Sequence, residues 1–252
     1  MSGPGGAFEP IPNPTADVNP SKASLDALAA RRDDDPIIMI NLLKFAQPDG
    51  EEAYKRYGRV SSKEVASRGG GVVYAGDAVV PGDWDRIALV YYPRRAAFLD
   101  MQKSPAYQGA IPDRTAGLAA RLLFAFRGTP ATQLAETLTP APDADEDSVY
   151  VVNLLQYRGE GGKASYQKYG NVASNLIREL GGEVVYCLTA DQAMVSDNAW
   201  EQFALVRYPS LEALQGMVSG DTWQQANREH RESGLEATIA FPTRRIGRRP
   251  RG

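Results

Sequence analysis

Three polar residue types recur along this 252-residue chain at nearly constant spacing, and together they could handle a carbonyl or carboxylate. Asn41 returns as Asn153 and Tyr57 as Tyr169, each 112 positions later, and Arg114 returns as Arg231 once a single inserted residue is allowed. An amide can orient a substrate oxygen. A phenol can donate a hydrogen bond, or act as a general acid if its pKa falls from about 10. A guanidinium suits a carboxylate or an enolate. Each residue type also has a structural reading: an amide tying neighbouring backbone, a core tyrosine with a satisfied hydroxyl, an arginine in a surface ion pair. Trp84, Trp200 and Trp223 are candidate pocket walls, although a tryptophan at a strand entrance is commonly packing. His230 is the single histidine and has no counterpart in the first half.

These residues sit in a sequence that is written twice. Asn41-Leu42-Leu43-Lys44-Phe45 returns as Asn153-Leu154-Leu155-Gln156-Tyr157, and Tyr54-Lys55-Arg56-Tyr57-Gly58 as Tyr166-Gln167-Lys168-Tyr169-Gly170. Leu89-Val90-Tyr91-Tyr92-Pro93 returns, at a slightly larger offset, as Leu205-Val206-Arg207-Tyr208-Pro209. A period this long marks a whole folding unit rather than a solenoid element. Each copy predicts a strand, a helix, two strands, a helical region and a last strand. Val, Ile and Tyr mark the strands, and Tyr54, Tyr57, Val60 and Val172, Leu176, Leu180 fall at helical spacing. Pro105 should break the second helical region of the first copy. The order β-α-β-β-α-β is the split, ferredoxin-like unit, an α+β fold. One sheet face of each unit is left needing cover, so the two repeats should pack sheet to sheet as an intramolecular pseudo-dimer.

The expected organisation is a disordered N-terminus with a short helix capped by Ser24 (1–35), repeat one (36–127), a Pro- and acid-rich linker (128–147), repeat two (148–243) and a basic tail (244–252). A formal net charge of −3 argues against a general nucleic-acid binder. No apolar run is long enough for a membrane span, and no signal pattern precedes the first helix. One cysteine, Cys187, fits a reducing cytoplasm, reads as a buried structural thiol, and with one histidine leaves no zinc set. Gly159-Glu160-Gly161-Gly162-Lys163 imitates a phosphate loop, but Ala164 stands where the Ser or Thr belongs, so a glycine-rich loop is expected there.

Asn-Leu-Leu-Lys-Phe on the first strand, Tyr-x-x-Tyr-Gly on the helix, Gly70-Gly71, Trp84-Asp85, and Ser104-Pro105-Ala106-Tyr107-Gln108 followed by Arg114 resemble the domain-of-unknown-function family 1330. Repeat two departs from that pattern at Gly220-Asp221-Thr222-Trp223-Gln224. The resemblance implies the dimeric α/β-barrel superfamily, whose members include cofactor-free monooxygenases, small lyases and isomerases, and haem-degrading enzymes. It implies a pocket between sheet and helices. The expectation is a cofactor-independent enzyme for oxygenation, isomerisation or cyclisation of an apolar, carbonyl-bearing substrate, working as a monomer or homodimer. In it Asn41, Asn153, Arg114 and Arg231 polarise oxygens, and Tyr57 and Tyr169 move a proton. The rival expectation is a non-catalytic ligand-binding or stress-related module. A remote third, a haem barrel, rests on Asn153, Trp223 and His230.

Overall fold

The computed structural model describes residues 18–128, 147–196 and 198–246. The Gly/Pro-rich N-terminus up to residue 17, nearly all of the 128–147 linker and the tail beyond residue 246 lie outside the described residues.

The first half runs α1 (Lys22–Ala29), β1 (Ile37–Phe45), α2 (Gly50–Ala66), β2 (Gly71–Ala78), β3 (Arg86–Tyr92), α3 (Arg95–Lys103), α4 (Pro105–Gly117) and β4 (Leu118–Arg127). The second runs β5 (Val149–Tyr157), α5 (Gly159–Glu179), β6 (Glu183–Val195), β7 (Gln202–Tyr208), α6 (Leu211–Ser219), α7 (Asp221–Ala226), a π helix (Asn227–Arg231), α8 (Glu232–Gly234) and β8 (Leu235–Arg245). Strand pairing follows the ring β1-β3-β2-β8-β5-β7-β6-β4, a closed antiparallel barrel. Within that ring β4-β1-β3-β2 and β8-β5-β7-β6 each keep the ferredoxin-like order expected of the α+β repeats. Closure removes the sheet edges that two open four-stranded sheets would expose.

The described chain forms two compact units, residues 18–128 with 188–199 and 245–246, and residues 147–187 with 200–244. The boundary falls inside β6, whose second half pairs with β4 in the first unit, Leu123 opposite Val195 and Arg127 opposite Thr189. That half also carries Asp191, whose carboxylate accepts from Nε and Nη2 of Arg95 at 2.9 Å each. Arg95 donates in addition to Asp33, and Arg31 to Asp191. Burial alone would raise the Asp191 pKa, but the bonds from Arg95 and Arg31 hold it below the usual carboxylate range.

The helices begin and end for local reasons. Glu51 and Glu52 lie in the first turn of α2 and Lys63 in its last, matching the helix dipole. Gly69 and Gly181, both at φ +76°, supply the left-handed residue that turns the chain out of α2 and α5. Ser104 ends α3 and its hydroxyl accepts from the Tyr107 amide to start α4, with Pro105 at the first position, so the break expected at Pro105 is present.

Three local expectations change. The cap of α1 is Ser21, whose hydroxyl accepts from the amide of Ser24, so the helix starts earlier. Gly159–Gly162 forms the first turn of α5 rather than a loop, because α5 must approach α8 closely. A Cβ on Gly162 would meet the Gly234 carbonyl oxygen at 2.6 Å. Finally, Arg244 and Arg245 end β8 instead of starting a tail.

Candidate functional site

The same framework positions produce a closed cluster in repeat one and an open pocket in repeat two. In repeat one, Asn41 on β1 donates to the carbonyls of Met39 (3.2 Å) and Ala88 (3.3 Å). Its Oδ1 accepts from Nε and Nη2 of Arg121 on β4, at 3.2 and 2.5 Å. Tyr57 on α2 lies 3.0 Å, hydroxyl to hydroxyl, from Tyr107 on α4. Arg114 Nη1 donates to both, at 3.3 and 2.6 Å, while its Nε and Nη2 donate to Asn19 Oδ1 at 3.2 and 2.7 Å. Both tyrosine rings lie beside the guanidinium, at 5.2 and 5.6 Å. Asn41, Tyr57, Tyr107, Arg114 and Arg121 are all 5% exposed or less. Burial would raise the Tyr57 pKa, but Arg114, Arg121 and the hydrogen bonds outweigh it and lower it. Every polar atom here has an answer within the protein, so Asn41 follows the structural reading of its amide.

Repeat two exchanges several of these partners. Trp223 stands at the place of Tyr107, Thr238 at that of Arg121, Tyr157 at that of Phe45, Gln202 at that of Arg86 and Cys187 at that of Ala75. A pocket of about 450 Å³ opens between helix and sheet, lined by Asn153, Tyr166, Tyr169, Cys187, Gln202, Trp223 and Arg231 among others, with Val151, Ile177, Val206, Leu214 and Met217 as apolar wall. Its size is that of an ordinary small-molecule site. Among the described residues of the lining, Arg231 is the one that is formally charged, and none is Asp, Glu or His.

The polar atoms of the pocket have defined roles. Trp223 Nε1 donates to the Tyr169 hydroxyl at 3.1 Å. An indole N–H can only donate, so Tyr169 must accept there and keeps its own proton for another acceptor. In repeat one, a hydroxyl at the same place can take either role. Burial raises the Tyr169 pKa, with Arg231 and the Trp223 bond offsetting part of the rise, so the proton stays on at neutral pH. Asn153 donates to the Val151 carbonyl at 3.3 Å. No described residue donates to its Oδ1, the atom that Arg121 engages in the other copy. Arg231 is buried and its Nη2 lies 3.5 Å from Thr238 Oγ1. The Tyr157 hydroxyl donates to Gln202 Oε1, and Gln202 Nε2 donates to Cys187 Sγ at 3.0 Å, which fixes the amide's orientation. Burial pushes the Cys187 thiol up, with the Gln202 bond opposing.

The one-residue insertion that separates Arg231 from Arg114 is accommodated as the π helix Asn227–Arg231. A single wide turn absorbs the extra residue and still delivers Arg231 to the pocket, a common use of such turns. The remaining candidates fall elsewhere. Trp84 and Trp200 are buried and do not line this pocket; the Trp200 Nε1 has no hydrogen-bond partner, which fits a packing role. His230 is half-buried and also outside the lining, so the Asn153, Trp223, His230 grouping does not assemble around it. Among the described residues no group of three His, Cys, Asp or Glu could hold a metal ion, and no described helix is long and apolar enough to cross a membrane. Tyr157, Tyr166, Cys187 and Gln202 line the pocket without having stood out as site residues in the sequence. At Tyr157, Cys187 and Gln202 the signal lies in difference between the copies, which recurrence of identical residues does not reveal.

Residues 42–127 match the family described as domain of unknown function DUF1330. No curated protein matches the chain. A Rhodopseudomonas palustris protein of unknown function is 29% identical over 50% of this chain and 100% of its own, with a TM-score of 0.40. An anthrone oxidase-like protein is similar over 86% of this chain and 93% of its own, at 9% identity and a TM-score of 0.61. A chlorite dismutase variant from Candidatus Nitrospira defluvii is similar over 88% and 94%, at 11% identity and a TM-score of 0.53. At such identities the last two establish the fold alone. The chain has the α+β fold of a closed antiparallel barrel, and residues 42–127 match the DUF1330 family.

Proposed function

We propose that the second repeat, a divergent copy of the first, binds a small aromatic carbonyl compound as its enolate or phenolate and activates it without an organic cofactor. The observation that carries this reading is the pocket of about 450 Å³ whose described lining is largely apolar and includes one cation, Arg231. An anion entering it meets Arg231 and the proton that Tyr169 cannot give to Trp223. Donors fixed at the place where charge develops act on it directly. Oxygenation, isomerisation and cyclisation of a carbonyl compound can each start from that anion, so one geometry serves all three. The described lining holds no Asp, Glu or His, and water is the acceptor this reading assigns to the substrate proton. Asn153 Oδ1 then accepts from a hydroxyl or N–H on the ligand. Anthrone is an enolisable tricyclic ketone, and the similar fold of an anthrone oxidase-like protein makes it a fitting first probe.

The test follows α-proton exchange of anthrone in deuterated buffer by NMR, beside a thermal-shift titration. The expected result is accelerated exchange by the wild type that falls at least tenfold in Tyr169→Phe and in Arg231→Met. Binding without acceleration would instead support the non-catalytic module, a reading favoured by the missing general base. No binding of anthrone, simple naphthols or 1,3-diketones would remove both.

A further inference from the structure

We infer that repeat one contains a second, strapped binding site for a small carboxylate, in which Val18 and Asn19 sit where the ligand's oxygens would lie. Two buried charges point to it. Arg114 and Arg121 are 1% and 4% exposed, and no carboxylate among the described residues lies within ion-pairing distance of either. Other shielded arginines of this protein are treated differently: Arg95 pairs with Asp191 and Asp33, and Arg86 with Asp77 and Glu51. A guanidinium taken from water without a counter-ion is costly, and such a cluster holds an unspent attraction for an anion.

The oxygens that now face these groups are neutral. Arg114 directs the Nε and Nη2 edge of its fork at the single Oδ1 of Asn19, and Arg121 Nη1 donates to the Val18 carbonyl at 3.2 Å. That edge matches the two oxygens of a carboxylate, so one amide oxygen satisfies it only in part. Val18 packs on Leu43, Phe45 and Leu118, and Asn19 also donates to Thr115 Oγ1 at 3.2 Å. Both residues precede α1, outside the barrel's strands and helices. Lifting them uncovers a carboxylate-sized position bounded by Arg114, Arg121 and the edges of Tyr57 and Tyr107. The strap thus competes with the ligand.

The experiment titrates the full chain with sodium benzoate and with its neutral isostere benzamide, by calorimetry. It uses an Arg231→Met background, so that the repeat-two pocket does not contribute, and compares Asn19 with Asn19→Ala. Asn19→Ala should bind benzoate at least tenfold more tightly than its parent, benzamide should not bind, and Arg114→Lys should weaken benzoate at least tenfold. Equal benzoate affinity with and without Asn19→Ala, or equal binding of benzamide, overturns the proposal. A second readout needs no variant at the strap. Benzoate should shift the tyrosinate absorbance titration at 295 nm to higher pH in the otherwise wild-type chain, and Tyr57→Phe should abolish that shift. An unchanged titration at saturating benzoate counts against the site even if Asn19→Ala or Arg231→Met fails to fold.

Discussion

Tyr107 and Trp223 occupy matching places in the two repeats and give them opposite chemistry. In repeat one the hydroxyl of Tyr107 meets that of Tyr57, and Arg114 donates to both, so both hydroxyls are engaged within the cluster. In repeat two the indole can only donate, which forces Tyr169 to accept and leaves its proton unspent. A second exchange works the same way. Arg121 fills the space under Asn41 and takes its oxygen, whereas Thr238 is too short to reach Asn153 in that manner. Two substitutions in one framework therefore convert a rigid cluster into a polar-ended cavity. A protein can keep its fold in both copies and specialise one of them by changing which partners satisfy the shared residues.

The contrast can be broken most strongly at Arg95. Its place in repeat two is taken by Leu211, so the buried ion pair belongs to one side only. Arg95→Ala leaves the Asp191 carboxylate with Arg31 alone and should cost about 3 kcal/mol in urea unfolding; Leu211→Ala should cost about 1 kcal/mol. The pH dependence has a definite sign. Asp191 has a folded pKa below its unfolded value, so its contribution is full above about pH 4 and disappears as pH falls through the depressed value. Arg95→Ala should shrink that part of the acid limb, leaving what Arg31 sustains.

Exchanging the aromatic partners is the next test. Tyr107→Trp forces a larger ring into the closed cluster and should destabilise by about 1–3 kcal/mol. Trp223→Tyr returns a two-way hydroxyl to Tyr169, and should weaken anthrone binding about tenfold while changing stability by less than about 1 kcal/mol. Denaturation and calorimetry on the same two proteins separate the outcomes, and equal effects on stability would contradict the asymmetry. Tyr57→Phe against Tyr169→Phe sharpens the point further. The first leaves both Arg114 and Tyr107 short of a buried partner and should cost about 2–3 kcal/mol, whereas the second strands only the Trp223 indole N–H and should cost about 1 kcal/mol.

The smallest effect concerns Cys187. Its raised pKa keeps the thiol protonated near neutrality, so iodoacetamide labelling should be slow at pH 7 and climb only above about pH 9. A ligand in the pocket should slow labelling further. Rapid labelling at pH 7 that no ligand protects would place the thiol outside the cavity in solution.

Much of the fold was legible because a duplicated pattern is read twice. The β-α-β-β-α-β order, the break at Pro105 and the turns at Gly69 and Gly181 all follow from local rules about periodicity, proline and glycine. The site was legible only in part. Asn153, Tyr169 and Arg231 stand out by recurrence, and all three line the pocket. Cys187 and Gln202 were missed because they do not recur, and Cys187 read as an inert core thiol. Trp200 looked like a wall and is packing, since a strand entrance is as apolar as a pocket mouth.

Hydrophobic spacing and turn residues act over a few neighbouring positions, so the order of elements and the amide, phenol and guanidinium of each copy can be read from the residues alone. Which copy presents the pocket of about 450 Å³ follows from long-range contacts. That outcome depends on contacts between residues as far apart as Asn19 and Arg114, or Asn41 and Arg121, where one hydrogen-bond partner more or less separates a sealed cluster from a cavity.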